Sequence, residues 1–74
     1  MTTILIVDDH EPFRVQARAL LEADGLVVVG EARDAVSGLA AARSLRPDIV
    51  LLDIGLPDRD GFQVACELAD DDSP

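Results

Sequence analysis

The chain has 74 residues, 49% of them hydrophobic, and a formal net charge of −9. That length allows one small domain, which buries only about 60% of its unfolded surface, and the apolar content excludes a disordered tail. The basic residues are all arginines, so the chain lacks a basic face for a nucleic-acid backbone and repels anionic substrates unless a cation intervenes. Cys66 is the single cysteine and cannot form an internal disulfide, which fits a reducing, cytoplasmic compartment. Met1-Thr2-Thr3 runs straight into an apolar strand. No signal peptide and no membrane span are therefore expected.

Thr3 to Val7 reads as the first strand. Asp8-Asp9-His10-Glu11-Pro12 leads into a helix, with Pro12 suited to the first turn and Glu11 to the positive helix start. Phe13, Ala17, Leu20 and Leu21 recur at helical spacing as an inward stripe, and Arg14 and Arg18 lie off it. Asp24-Gly25 ends this helix, Gly being suited to a left-handed C′ position. Leu26 to Val29 is the second strand, and Gly30-Glu31-Ala32-Arg33 leads out of it. Asp34 is a good N-cap for a second helix whose face is marked by Ala35, Val36, Leu39, Ala40 and Arg43. Arg46-Pro47-Asp48 closes that helix, because Pro47 disfavours the helical region for the residue before it.

Ile49 to Asp53 is the third strand, followed by a loop to about Gly61. Phe62, Ala65, Cys66 and Ala69 mark a short third helix, with Cys66 as a small core residue. Asp70-Asp71-Asp72-Ser73-Pro74 reads as a solvated linker. Alternating strands and helices predict a parallel α/β sheet with right-handed crossovers.

Two unbroken apolar runs, Ile4-Leu5-Ile6-Val7 and Ile49-Val50-Leu51-Leu52, read as strands buried on both faces. Each ends in acid: Asp8-Asp9 after the first, Asp53 after the second. Open parallel sheets bind ligands at this carboxyl end. Neighbouring strands lie about 4.8 Å apart, so adjacency of these two would cluster Asp8, Asp9 and Asp53. Three carboxylates that close repel one another unless a cation sits between them. An oxygen-only set suits Mg²⁺. With the cation present, Asp53 can act as a nucleophile toward phosphorus.

Plainer roles compete with these. An acid at a strand end also serves as a turn former or helix N-cap. His10 reads as a loop residue, or as a base. Gly55, Pro57 and Gly61 shape the loop, and Gly55 lets a backbone carbonyl approach the cation. Asp58 and Asp60 read as solvated turn formers. An EF-hand is excluded because no Glu closes the Asp58-Arg59-Asp60-Gly61 loop at the required spacing. A dinucleotide site is excluded because Asp8-Asp9-His10 stands where a Gly-rich turn would be needed.

Ile4-Leu5-Ile6-Val7-Asp8-Asp9-His10, Val28-Val29-Gly30-Glu31-Ala32 and Pro47 to Gly61 together resemble the receiver domain of two-component response regulators. The Asp-Asp-His and Val-Gly-Glu-Ala strings look most like the subfamily with a C-terminal helix-turn-helix DNA-binding domain. The resemblance implies a flavodoxin-like αβα fold with strand order 2-1-3, Mg²⁺ dependence and phosphorylation by a sensor histidine kinase. Asp53 falls on the phosphoacceptor position, Asp8 and Asp9 on the acidic metal pair, and Gly55 on the residue whose carbonyl completes the metal's protein ligands.

Members of that family have five β/α units, and three are read here, so residues 1–74 are expected to be the amino-terminal part of such a domain. The family's switch Ser/Thr and phosphate-binding Lys belong to its fourth and fifth strands, and this chain has no Lys. The third strand should then form an apolar, unpaired edge prone to self-association or element swapping. Two other function classes stand beside the non-enzymatic receiver. One is a Mg²⁺-dependent phosphatase with an Asp nucleophile, disfavoured because Gly55 occupies the position of its general acid. The other is a binding module that works without phosphate.

Overall fold

Ile4, Leu5, Ile6 and Val7 are all buried, at 3%, 0%, 0% and 1% exposure. Burial of such side chains contributes about 1.5–3 kcal/mol each. The strand they form, β1 (Thr3–Val7), lies at the centre of the sheet in a computed structural model that describes residues 1–71. It is flanked by β2 (Val27–Ala32) and β3 (Ile49–Leu52), both parallel to it, in the order β2-β1-β3. The parallel α/β fold and the 2-1-3 order expected from the sequence are therefore both present.

α1 (Glu11–Ala23) covers one face of the sheet, and α2 (Ala35–Leu45) and α3 (Gly61–Asp71) cover the other. Ile4 and Ile6 point to α1 and pack with Ala17 and Val28. Leu5 and Val7 point the other way and pack with Ala32, Ala35, Leu39, Ala42, Leu56 and Val64. The helix ends follow local chemistry. Gly25 has φ +91°, with Leu26 N–H donating to Leu21 O and Gly25 N–H to Glu22 O, a Schellman closure of α1. Asp34 caps α2 by accepting the Ser37 N–H at 2.8 Å. Arg46, forced out of the right-handed helical region ahead of Pro47, takes φ 49°.

Several expectations are corrected. β2 does not stop at Val29. Gly30, Glu31 and Ala32 continue the ladder opposite Leu5, Ile6 and Val7, after a register irregularity that leaves Val29 between pairs. β3 ends at Leu52, although the Asp53 N–H still donates to Val7 O. β3 is not buried on both faces: Ile49 and Leu51 are 44% and 37% exposed. It has β1 on one edge and no strand on the other among the described residues.

Along α1, Phe13 and Leu20 are exposed, and of the expected stripe Ala17 is buried and Leu21 half-buried. α2 turns Ala35, Gly38, Leu39 and Ala42 inward and leaves Val36 and Ala40 exposed. The small residues let its axis lie close to the sheet. α3 carries two apolar stripes and buries Gly61 and Val64, with Leu68 half-buried. Phe62, Ala65, Cys66 and Ala69 are exposed, so Cys66 is not a core residue. Asp70 and Asp71 belong to α3 rather than to a linker, and the rest of the expected linker, residues 72–74, lies outside the described residues.

Candidate functional site

Parallel pairing fixes where the acids fall. Ile4 to Val7 stand opposite Ile49 to Leu52, residue for residue. The ladder runs one step past both strands: Asp53 N–H donates to Val7 O and Asp8 N–H to Ala32 O, each at 2.9 Å. Asp8 and Asp53 therefore leave the sheet at the same level. Asp8, Asp9 and Asp53 each offer a carboxylate oxygen, and the three oxygens lie within 4.8 Å of one another. Asp8 and Asp53 are half-buried and Asp9 is exposed. The donor set is oxygen only, without His or Cys, which suits a hard divalent cation.

The turn-forming role proves compatible with clustering. Asp8 Oδ1 accepts the His10 N–H at 2.8 Å, and Asp53 Oδ1 accepts the Gly55 N–H at 3.0 Å. Each acid bends its own loop while keeping its carboxylate at the cluster. His10 occupies the N-cap position of α1, exposed and without a side-chain cap bond. Gly61 is the tightest point of the β3–α3 loop. Its N–H donates to Ile54 O, and a Cβ there would stand 2.4 Å from Ile54 Cα and 2.6 Å from Asp53 O. No residue with a side chain fits without moving the backbone that carries Asp53. A pocket of about 270 Å³ opens beside the acids, lined by Asp8, Phe13, Leu51, Leu52, Asp53 and Ile54.

Asp58 is exposed, as expected, but it caps α2 and does not merely form a turn. Its two carboxylate oxygens accept the N–H groups of Ala35 at 2.7 Å and Val36 at 3.0 Å. With Asp34 on Ser37, the first three N–H groups of α2 are all satisfied by side chains. The Ala35 N–H above all holds the Asp58 carboxyl below its ordinary pKa, and the Ser37 hydroxyl and N–H do the same for Asp34. Asp60 also has a partner, since Oδ1 accepts the Phe62 N–H at 2.8 Å and starts α3. Arg59 pairs with Glu67, which also meets Arg43 at 3.8 Å, so the loop, α2 and α3 are joined.

A second group beside the acids escaped the sequence reading. The Arg14 guanidinium donates to Asp8 O at 2.5 Å through Nη1 and to Glu31 at 3.1 Å through Nε. Arg18 also reaches Glu31, at 2.6 Å. The signal available in the sequence was weak: two arginines one helical turn apart, off the apolar stripe, and one acid at the end of β2.

The chain resembles known proteins along nearly all its length. It is 43% identical over 68 residues to the KDP operon transcriptional regulatory protein KdpE of Escherichia coli K12, covering 92% of this chain and 30% of KdpE. It is 39% identical over 67 residues to the nitrate/nitrite response regulator protein NarL of the same organism, covering 89% of this chain and 31% of NarL. Its fold matches a LuxR-family two-component response regulator from Aurantimonas with a TM-score of 0.90 at 36% identity, covering 97% of this chain and 53% of that one. The chain thus spans about a third of the length of the curated relatives it matches. With the response regulator receiver domain model matching residues 4–74, and the acids converging where parallel strands end, the chain belongs to the receiver domain family of two-component response regulators.

Proposed function

We propose that the chain accepts a phosphoryl group on Asp53 from the phosphohistidine of a sensor kinase. Mg²⁺ would be held by Asp8, Asp9, Asp53 and the Gly55 carbonyl. One observation carries this reading: three carboxylates on two loops converge within 4.8 Å at the carboxyl end of the sheet. An Asp53 oxygen bonds to phosphorus as the P–N bond breaks, and the leaving imidazole takes up a proton. Mg²⁺, when bound there, would supply the positive charge that lets an acid cluster admit a phosphoryl group. The protein's own contribution is to hold Asp53 at the level of Asp8 through the β1–β3 ladder, and to fix its rotamer through the Gly55 N–H.

Gly55 stands two residues after Asp53, where a phosphatase would place its general acid, which favours an acceptor over a hydrolase. The relatives' names support transcriptional control as the output of the protein that carries this module. The net charge of −9 supports DNA contact being made elsewhere than on this module. Cytoplasmic location follows from that role; among the described residues, no helix is long and apolar enough to cross a membrane. The open edge of β3, with Ile49 and Leu51 exposed, supports self-association through that strand.

Incubation with acetyl phosphate and Mg²⁺, read by intact mass, tests the acceptor. The expected result is a slow gain of one phosphate, because no lysine is present to contact the phosphoryl oxygens, and no gain in Asp53→Asn or without Mg²⁺. An equal gain in Asp53→Asn would remove Asp53 from the role.

A further inference from the structure

Asp8 is held at three atoms. Its N–H donates to Ala32 O on β2, its Oδ1 accepts the His10 N–H, and its main-chain O accepts the Arg14 guanidinium. The first is a backbone bond, and the second needs only the Asp8 carboxylate and a main-chain N–H. The third depends on Arg14, which sits one turn into α1 and reaches back under the loop. Its side chain is 13% exposed, far more enclosed than a typical surface arginine.

A cation this near three acids could be expected to pair with them and compete with a metal. Arg14 instead spends its ionic contact on Glu31, at 3.1 Å, and only a neutral carbonyl of Asp8 takes its remaining hydrogen bond. Glu31 is also met by Arg18, which reaches Val28 O as well, while the Arg14–Glu31 contact stands by itself. The planar fork of arginine suits this double duty, because its donors leave in fixed, divergent directions.

We infer that Arg14 is a positioning residue for the acid cluster. It clamps the Asp8 main chain between α1 and β2, while Glu31 keeps its charge off the metal-binding oxygens. The inference rests on the Mg²⁺ reading given above. Groups that orient a metal ligand without touching the metal typically account for about 10–100-fold in metal affinity. Arg18 is the natural control, since it shares Glu31 but makes no bond to Asp8.

Isothermal titration with Mg²⁺ on the unaltered chain, Arg14→Ala, Arg14→Lys and Arg18→Ala tests it, with folding checked by circular dichroism in EDTA. Arg14→Ala should bind Mg²⁺ about tenfold more weakly or worse. Arg14→Lys keeps the charge and guards against loss of fold. It should fall between Arg14→Ala and the unaltered chain, because one ammonium cannot serve both Asp8 O and Glu31 in this geometry. Arg18→Ala should bind as the unaltered chain does. Full affinity in folded Arg14→Ala or in Arg14→Lys, or an equal loss in Arg18→Ala, would overturn the inference alone. Absence of Mg²⁺ binding by the unaltered chain would overturn the metal reading and the inference with it.

Discussion

On the α2/α3 side of the sheet, Leu5 and Val7 meet buried residues from two helices and a loop: Ala35, Leu39, Ala42, Leu56 and Val64. On the α1 side, Ile4 and Ile6 have Ala17 and Val28 as their buried partners. Both faces bury the central strand, yet they differ in what lies beyond it. Two helices rich in small residues close over the first face. Among the described residues a single helix lies over the second, with Phe13, Leu20 and Leu51 around a pocket of about 230 Å³. The apolar surface left over gathers around β3, the edge of the described sheet.

The sharpest contrast should come from truncating one leucine on each side. Leu5→Ala removes a fully enclosed side chain and should destabilise the fold by about 2–5 kcal/mol. Leu20→Ala, at a position 72% exposed, should stay within about 0.5 kcal/mol. Urea unfolding of both variants measures the difference, and similar costs would show that the α1 face is better filled than its exposure implies.

A smaller effect is expected at the open edge. If β3 pairs between copies, the chain should sediment above monomer mass at micromolar concentration, and Leu51→Lys should shift it toward monomer. A folded, monodisperse monomer in the unaltered chain would end the pairing proposal.

The mildest test uses acid. Asp34 and Asp58 at α2, and Asp48 on the Thr3 N–H and hydroxyl, have pKa values lowered by hydrogen bonds made in the folded state. Their contribution is therefore present above the unfolded carboxyl value, about 3.9, and is lost as pH falls through the lower folded values. Hydrogen exchange at Ala35 and Val36, corrected for intrinsic rate, should quicken over that range. The first-turn amides of α1 should not follow in the same way, because His10 makes no cap bond there. An unchanged acid profile in Asp58→Asn would separate the cap from the effect.

Much of this was legible in the sequence. The β1 run with Asp8-Asp9 behind it and the β3 run with Asp53 behind it are each local signals, an apolar strand emptying into a polar loop within a few residues. The cap at Asp34 and the Schellman closure at Gly25 are local for the same reason. What escaped depended on distance or on choice. Asp58 caps a helix 23 residues earlier in the chain, with no local mark of it. α3 carries two apolar stripes, and nothing in its own sequence says which one meets the sheet. Gly30 looked like a strand end, yet the ladder with β1 carries it through to Ala32. The Arg14–Glu31 pair needed β2 to run that far.

That extension depends on the irregularity at Val29. Side chains alternate along a strand, so Val28 and Ala32, four apart, should share a face. They do not: Val28 packs with Ile4 and Ile6, and Ala32 packs with Leu5 and Val7. One extra residue inverts the parity of β2 halfway along its length. In an unbroken register Glu31 would stand opposite Val7 and point into the apolar layer beneath α2, away from Arg14 and Arg18. With the inversion it stands opposite Ile6, on the side where Arg14 and Arg18 reach it. A single uncounted residue thus decides whether that carboxylate is a buried fault or the anchor of the loop that carries Asp8.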